Sequence, residues 1–181
     1  MEVILGLGSN RTYKGMSPVE LLAFAVRSLS RFMSDIKVSS VYETRPMYVC
    51  DQENFFNIAL KGSVPESMSP ESLLEAIHEI EAEGGRDRSK EVRFGPRSLD
   101  IDIEEFSDVV MNTEDLILPH PRIKERAFVL IPLLEIFSES ADVEKRERYA
   151  SWLNALPNQG NDEGVVKSPQ KVQETFVSSL N

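Results

Sequence analysis

The stretch Leu-Asp-Ile-Asp-Ile, residues 99–103, decides the fold because apolar and acidic residues alternate along it without a break. Such alternation is typical of a strand with one buried face, so the apolar side chains should face a core. Asp100 and Asp102 then lie side by side on the other face, with Cα atoms about 6.5–7 Å apart. The sequence therefore predicts a strand here that directs two carboxylates towards one point.

The chain before this strand supplies the other elements of an α+β fold. The predicted elements are a strand, a helix, two strands and a second helix, at residues 3–7, 17–33, 36–42, 55–61 and 69–83. Each helix begins with a Ser-Pro-type start and the second ends at a glycine pair. The resulting order β-α-β-β-α-β predicts a ferredoxin-like α/β/α sandwich with a mainly antiparallel sheet. Further helices are expected at residues 126–137 and 149–156.

Length and composition bound the domain organisation and the possible partners. With 181 residues and 41% hydrophobic residues, we expect one domain over residues 1–157 and a polar, loosely attached or disordered tail over residues 158–181. The net charge of −10 argues against nonspecific attraction to nucleic acid or to an anionic membrane. A single cysteine, Cys50, excludes an intramolecular disulfide. With no apolar segment long enough for a membrane span or a leader, we expect a cytoplasmic monomer acting on small molecules.

A basic loop precedes the acidic strand. Five cations fall within twelve residues of an otherwise acidic chain: Arg86, Arg88, Lys90, Arg93 and Arg97. Guanidinium groups pair with phosphate oxygens, and Mg²⁺ is commonly held by one or two carboxylates together with substrate phosphates. Either feature alone has a plainer explanation, as the wet side of an amphipathic strand or as a solvated loop. Their adjacency favours a site for a polyphosphate with Mg²⁺.

Further polar and aromatic residues complete the set of candidates. His120 stands between two prolines and could donate to a phosphate, or it could be a structural histidine bonded to backbone. His78 and Glu81 share a helix face that could meet a nucleotide, although such pairs are more often solvated. Asn57 with Phe55 and Phe128 would suit a flat heteroaromatic ring, although core packing is the usual role of phenylalanine.

The string Arg-Phe-Gly-Pro-Arg-Ser-Leu-Asp-Ile-Asp-Ile, residues 93–103, closely resembles the signature of the 6-hydroxymethyl-7,8-dihydropterin pyrophosphokinase family of folate biosynthesis. The resemblance extends over residues 3 to about 156. Its other matching segments are Leu7-Gly8-Ser9-Asn10, Tyr42 to Met47, Phe55-Phe56-Asn57, Ile80-Glu81, Gly85 to Arg88, Leu118 to Arg122, Arg126 to Leu130 and Pro132-Leu133.

The resemblance implies an activity and a role for each matching residue. Members transfer the pyrophosphoryl group of ATP to the pterin hydroxymethyl oxygen and release AMP. The implied catalytic residues are Arg86, Arg97, Asp100 and Asp102, and the two aspartates would hold two Mg²⁺ ions. The implied ATP-binding residues are His78, Glu81, Arg88, Arg93, Ile103, His120 and Arg126. The implied pterin-binding residues are Thr44, Pro46, Met47, Phe55, Asn57, Phe94 and Phe128. Three loops would close over the substrates, at residues 9–16, 43–54 and 84–97.

The chain departs from the family pattern at several positions. Phe94 replaces a tryptophan, Phe55 replaces a frequent tyrosine, and His78 stands where a glutamine is usual. Glu104 occupies an apolar position and, by alternation, shares the strand face of Asp100.

Other functions stay open at this point. A nucleotide-sugar transferase with an Asp-x-Asp metal site would need a nucleotide-binding domain that is absent from so short a chain. A catalytically silent ferredoxin-like module would not need the basic loop and the carboxylate pair together. RNA binding is disfavoured by the net charge and by the missing aromatic strand signature.

Overall fold

A computed structural model describes residues 1–46, 52–89, 95–137 and 142–172. Its helices are α1 (Pro18–Leu29), α2 (Pro70–Glu83), α3 (Ala127–Phe137) and α4 (Val143–Ala155). Its strands are β1 (Glu2–Ser9), β2 (Ser34–Val38), β3 (Tyr42–Thr44), β4 (Phe55–Ser63), β5 (Asp100–Phe106), β6 (Met111–Asn112), β7 (Ile117–Leu118) and β8 (Val166–Lys167). Short 3-10 helices span Ile123–Glu125 and Pro157–Glu163.

The main sheet has the strand order of a ferredoxin-like fold. Within the described residues its order is β5-β1-β4-β3-β8, with β2 also paired to β4, and every pairing is antiparallel. The predicted α+β class and the mainly antiparallel sheet are therefore confirmed. Strands β6 and β7 form a separate two-stranded hairpin.

Helices cover both faces of the sheet. On one face, α1 and α2 pack their apolar residues against the inward residues of β1, β4 and β5, including Leu5, Leu60 and Ile103. On the other face, Ile4 and Ala59 contact a second cluster built from α3 and α4. Burial of this apolar area is the main stabilising term of such a sandwich. Among the described residues, no helix combines the length and the apolar character needed to cross a membrane.

The second strand predicted from the sequence, at residues 36–42, is divided into β2 and β3. The Ala59 main-chain N–H donates to the Ser39 side-chain hydroxyl at 2.9 Å, where regular strand pairing would use a main-chain carbonyl as the acceptor. The next residue, Ser40, donates its main-chain N–H to the Glu135 carboxylate on α3 at 2.8 Å. Serine side chains compete in this way with regular pairing, and the strand breaks at this point.

The last helix and the described part of the tail, up to residue 172, also differ from the prediction; residues 173–181 lie outside the described residues. Helix α4 begins at Val143 rather than near residue 149, because Asp142 caps it by accepting from the Lys145 N–H at 3.0 Å. Residues 157–172 are not loosely attached: β8 pairs with β3, and the Ser168 N–H donates to the Val41 carbonyl at 2.8 Å. The side chain of Val172 is buried in the larger apolar cluster.

A bulge in β5 interrupts its regular pairing with β1. Along β1, Leu5 pairs with Ile103 and Ile4 pairs with Glu105, which leaves Glu104 as an extra residue. The bulge therefore directs both glutamates towards the face that carries α3 and α4, because Ile4 belongs to the cluster on that face.

Candidate active site

A cleft of about 110 Å³ opens where β1, β4 and β5 meet the beginning of α3. Its floor is β1, where Gly6 and Gly8 present no side chain to the cleft. A Cβ atom on Gly8 would lie 2.9 Å from Asn57 Oδ1, and one on Gly6 would lie 2.9 Å from Glu104 Oε1. The two glycines therefore keep a trough open between side chains of β4 and β5.

Asp100 lies at one side of the cleft between two arginines. Its Oδ1 accepts from Arg86 Nη1 at 2.5 Å, and its Oδ2 accepts from Arg97 Nη1. Burial alone would raise the pKa of Asp100, but the two guanidinium groups outweigh it and hold the pKa below its ordinary value. Asp100 is therefore a carboxylate at neutral pH.

Asp102 is the second carboxylate of the pair and has a different environment. Its Oδ2 accepts from Arg126 Nη1 at 3.0 Å, while burial and then the charge of Asp100 raise its pKa. Two carboxylates on one strand face thus repel each other and are held by three arginines. This confirms the predicted side-by-side placement, and it brings Arg86, Arg97 and Arg126 to the same point.

Glu81, for which the sequence predicts a contact to ATP, pairs with two arginines of the basic loop. Its carboxylate is buried, accepts from the Ile101 N–H at 2.8 Å, and pairs with Arg86 and with Arg88, the latter at 2.5 Å. The helix ends just beyond it, where Gly85 has a φ of 91° and a Cβ would lie 2.3 Å from the Tyr13 ring. Glu81 therefore joins the end of α2 to the start of β5 and orients two cations of the basic loop.

The other side of the cleft has the composition of a ring-binding pocket. Phe55 at the start of β4 and Phe128 on α3 both line it. Asn57 donates from Nδ2 to Thr44 Oγ1 at 2.8 Å, which orients its amide. Four of the predicted pterin residues therefore meet in one place, beside the carboxylate pair.

The remaining predicted residues vary in their placement. His120 is half-buried near the carboxylates; its Nδ1 accepts from the Arg122 N–H at 3.2 Å, and desolvation lowers its pKa. His78 lies on α2, and desolvation followed by the charges of Arg88 and Arg86 lowers its pKa.

The Ile103 side chain faces the apolar core, so only its main chain, on the end strand of the sheet, is available to an adenine. Pro46 is outside the cleft lining, and Met47, Arg93 and Phe94 lie outside the described residues.

Sequence reasoning gave no individual role to Asn10, which joins three loops. Its Nδ2 donates to Gln52 Oε1 at 3.1 Å and to the Glu53 carbonyl at 3.0 Å, and its Oδ1 accepts from the Arg97 N–H at 2.8 Å. The sequence feature that could have identified Asn10 is its position directly after a strand and a Gly-Ser pair. Gln52 and Arg45 also line the cleft, and nothing local in their sequence distinguishes them.

The donor set fits a hard divalent cation that shares its coordination with a ligand. Among the described residues, no group of three or more His, Cys, Asp or Glu side chains could hold a metal. Two carboxylates on one face are nevertheless what Mg²⁺ commonly takes from a protein when phosphates and water fill the other positions.

Comparison with known proteins agrees with this geometry. Residues 4–138 match the family model described as 7,8-dihydro-6-hydroxymethylpterin-pyrophosphokinase (HPPK). The chain belongs to the HPPK family. A Bacillus subtilis relative named 2-amino-4-hydroxy-6-hydroxymethyldihydropteridine pyrophosphokinase is 51% identical over 100 residues, covering 55% of this chain and 58% of the relative. An Aquifex aeolicus relative of the same name is 38% identical over 134 residues, covering 74% of this chain and 79% of the relative.

Other HPPK relatives are longer chains. A Pneumocystis carinii folic acid synthesis protein is 40% identical over 135 residues, which cover 74% of this chain but 17% of that protein. A crystal structure of wild-type Plasmodium falciparum HPPK-DHPS with pteroate has a TM-score of 0.58 at 16% identity, covering 84% of this chain and 45% of that one. At that identity the likeness supports the fold alone.

Proposed function

We propose that this HPPK-family chain transfers a pyrophosphoryl group from ATP to the hydroxymethyl oxygen of 6-hydroxymethyl-7,8-dihydropterin, a step of folate biosynthesis. The observation that carries the proposal is one cleft that combines a carboxylate pair, three arginines and a ring pocket. A polyphosphate, a divalent cation and a flat heterocycle could therefore lie side by side. The family membership and the relatives' names support this substrate pair.

In the proposed reaction the hydroxymethyl oxygen forms a bond to the β-phosphorus of ATP. The bond from that phosphorus to the bridging oxygen of the α-phosphate breaks, AMP leaves, and the hydroxyl proton passes to solvent. Because the reaction needs little covalent participation by the protein, catalysis would rest on positioning and on charge stabilisation.

The arginines of the cleft would supply the positive charge. Arg86, Arg97 and Arg126 present planar forks that match phosphate oxygens, and Glu81 holds Arg86 in place. His120, with its Nδ1 occupied by the Arg122 N–H, would present Nε2–H as a donor. Asp100 and Asp102 would hold Mg²⁺, two ions in our proposal, which would offset charge on the bridging phosphate oxygens.

The ring side of the cleft would set substrate specificity. Phe55 and Phe128 would stack on the two faces of the pterin, and the Asn57 amide, oriented by Thr44, would read its edge. We further propose that the enzyme is cytoplasmic and monomeric and that it has no nucleic-acid or membrane partner.

The decisive experiment incubates the protein with ATP, Mg²⁺ and hydroxymethyl dihydropterin and separates the nucleotides. We expect AMP and the pterin diphosphate in equal amounts, with formation of both dependent on the pterin. Release of ADP, or AMP release that does not require the pterin, would contradict the proposal. A catalytically silent binding module would bind both ligands and produce neither AMP nor ADP.

A further inference from the structure

Glu104 is a polar residue of the cleft to which the proposed reaction gives no role. It is the extra residue of the β5 bulge, lines the inner end of the cleft and is 0% exposed. Within the part of the chain that the structure describes, neither of its carboxyl oxygens has a hydrogen-bond partner. Burying such a group without a partner destabilises the folded protein, so an interaction with a bound ligand would offset that loss.

Neighbouring groups do not supply the missing partner. His120 Nδ1 is 3.8 Å from Glu104 Oε2, which is too long for a hydrogen bond, and it already accepts from the Arg122 N–H. Arg126 gives its hydrogen bond to Asp102 instead. The contrast with the next residue is sharp, because both oxygens of Glu105 accept from Arg148, at 2.6 and 2.8 Å.

The surroundings of Glu104 restrict which ligand group could be its partner. The arginines that would hold a phosphate donate to Asp100 and Asp102, and none of them donates to Glu104. A metal ion bound by Glu104 together with Asp100 and Asp102 would need the three carboxylates to form one group, and the described residues contain no group of three that could hold a metal. A neutral N–H donor of a flat ring satisfies a carboxyl oxygen, and the trough over Gly6 and Gly8 joins Glu104 to the ring pocket at Asn57.

We propose that Glu104 is a specificity-determining residue that accepts a hydrogen bond from a ring N–H or amino group of the pterin substrate. This inference rests on the proposed function. Asn57 would then read the ring from the β4 side and Glu104 from the β5 side. The bulge matters because it places the side chain over Gly6, and any larger residue at position 6 would displace it.

The test compares Glu104→Met, which has similar volume and no polar atom, with Glu104→Gln, which keeps one acceptor oxygen. Binding of 6-methylpterin, which cannot be phosphorylated, is measured calorimetrically with Mg²⁺ and α,β-methylene-ATP present, and binding of that nucleotide is measured alone. We expect Glu104→Met to weaken pterin binding by about 10- to 100-fold with nucleotide binding unchanged, and Glu104→Gln to recover part of it. We also expect Glu104→Met to melt roughly 2–10 °C above the original protein, because an unpaired buried carboxyl is removed.

The control is the same substitution at the next residue, Glu105→Met, which should melt lower and bind the pterin normally. Unchanged pterin binding in Glu104→Met would overturn the inference, and so would a loss confined to the nucleotide. A lowered melting temperature with pterin and nucleotide weakened together would show a structural role and would also overturn it. Pterin-dependent AMP formation by the unaltered protein tests the proposed function separately, so the two failures are distinguishable.

Discussion

Replacement of Asn10 by alanine tests whether one side chain holds the three loops of the cleft in position relative to one another. Its amide joins the loop after β1 to Gln52 and Glu53 of the second loop and to the Arg97 N–H of the third. The side chain is 4% exposed, so water has little access to replace these bonds. Loss of Asn10 should therefore release the Arg97 main chain and weaken the ion pair between Arg97 and Asp100.

The magnitude follows from the three side-chain hydrogen bonds. Each contributes a net of about 1 kcal/mol, and Gln52 is exposed enough to find water, so the variant should lose roughly 2–3 kcal/mol of unfolding free energy. For a chain of this size that loss lowers the melting temperature by roughly 5–10 °C. A shift of the catalytic groups by about 1 Å can reduce turnover on the order of 100-fold.

Two further variants make the assay specific. Asn10→Asp keeps the acceptor for Arg97 but places an oxygen against the Glu53 carbonyl, so it should be no better than alanine. Asn54→Ala removes one exposed hydrogen bond, from Asn54 to the Glu43 carboxylate of β3 at 2.9 Å, and should change neither melting nor turnover measurably. We would measure thermal melts and AMP formation at saturating substrates. Turnover within threefold of the original protein for Asn10→Ala would refute the reasoning.

Three other predictions concern the carboxylates, the ring pocket and a carboxylate away from the site. Asn at Asp100 or Asp102 should leave the fold intact and reduce turnover by orders of magnitude, and near-normal turnover at saturating Mg²⁺ would contradict their role. Ala at Phe55 or Phe128 should weaken pterin binding by about 1–3 kcal/mol with nucleotide binding nearly unchanged, as calorimetry with a thermal melt would show. Burial would raise the pKa of Glu135, but hydrogen bonds from β8 and from the segment entering β3 outweigh it and lower that pKa. The ionised Glu135 therefore stabilises the fold above its unfolded-state pKa, and this contribution is lost as the pH falls. Glu135→Gln should then show a smaller decline in unfolding free energy between about pH 5 and 3. If denaturant titrations gave the same decline for the variant and the original protein, this reasoning would be wrong.

Local patterns predicted the features of this molecule that depend on neighbouring residues in the chain. Period-two alternation placed Asp100 and Asp102 on one strand face, and Ser-Pro starts located the first turns of α1 and α2. The adjacency of the basic loop to the acidic strand was enough to indicate an anion site. These signals require no knowledge of which strands pair.

Features that depend on pairing could not be predicted. The extra residue in β5 is defined by its register with β1, so alternation indicated the face of Glu104 but not its burial or its lack of a partner. Glu81 looked like one polar residue on a helix face, and its burial follows from the way α2 meets β5. The strand β8 is two residues long and acquires a partner only because β3 leaves an edge beside it.

The ion pairs of the cleft suggest how a site so rich in charge tolerates the binding of further charges. Asp100 and Asp102 are satisfied by arginines whose forks match a phosphate equally well, so a triphosphate would draw the guanidinium groups to itself and leave the carboxylates for Mg²⁺. The net charge of the site would change little in this exchange, because the positive charge of Mg²⁺ offsets most of the negative charge of the triphosphate. Nucleotide and cation should therefore each strengthen the binding of the other, by the same factor in both directions. The buried position of Glu81 ensures that Arg86 remains close to the cleft while its partner changes.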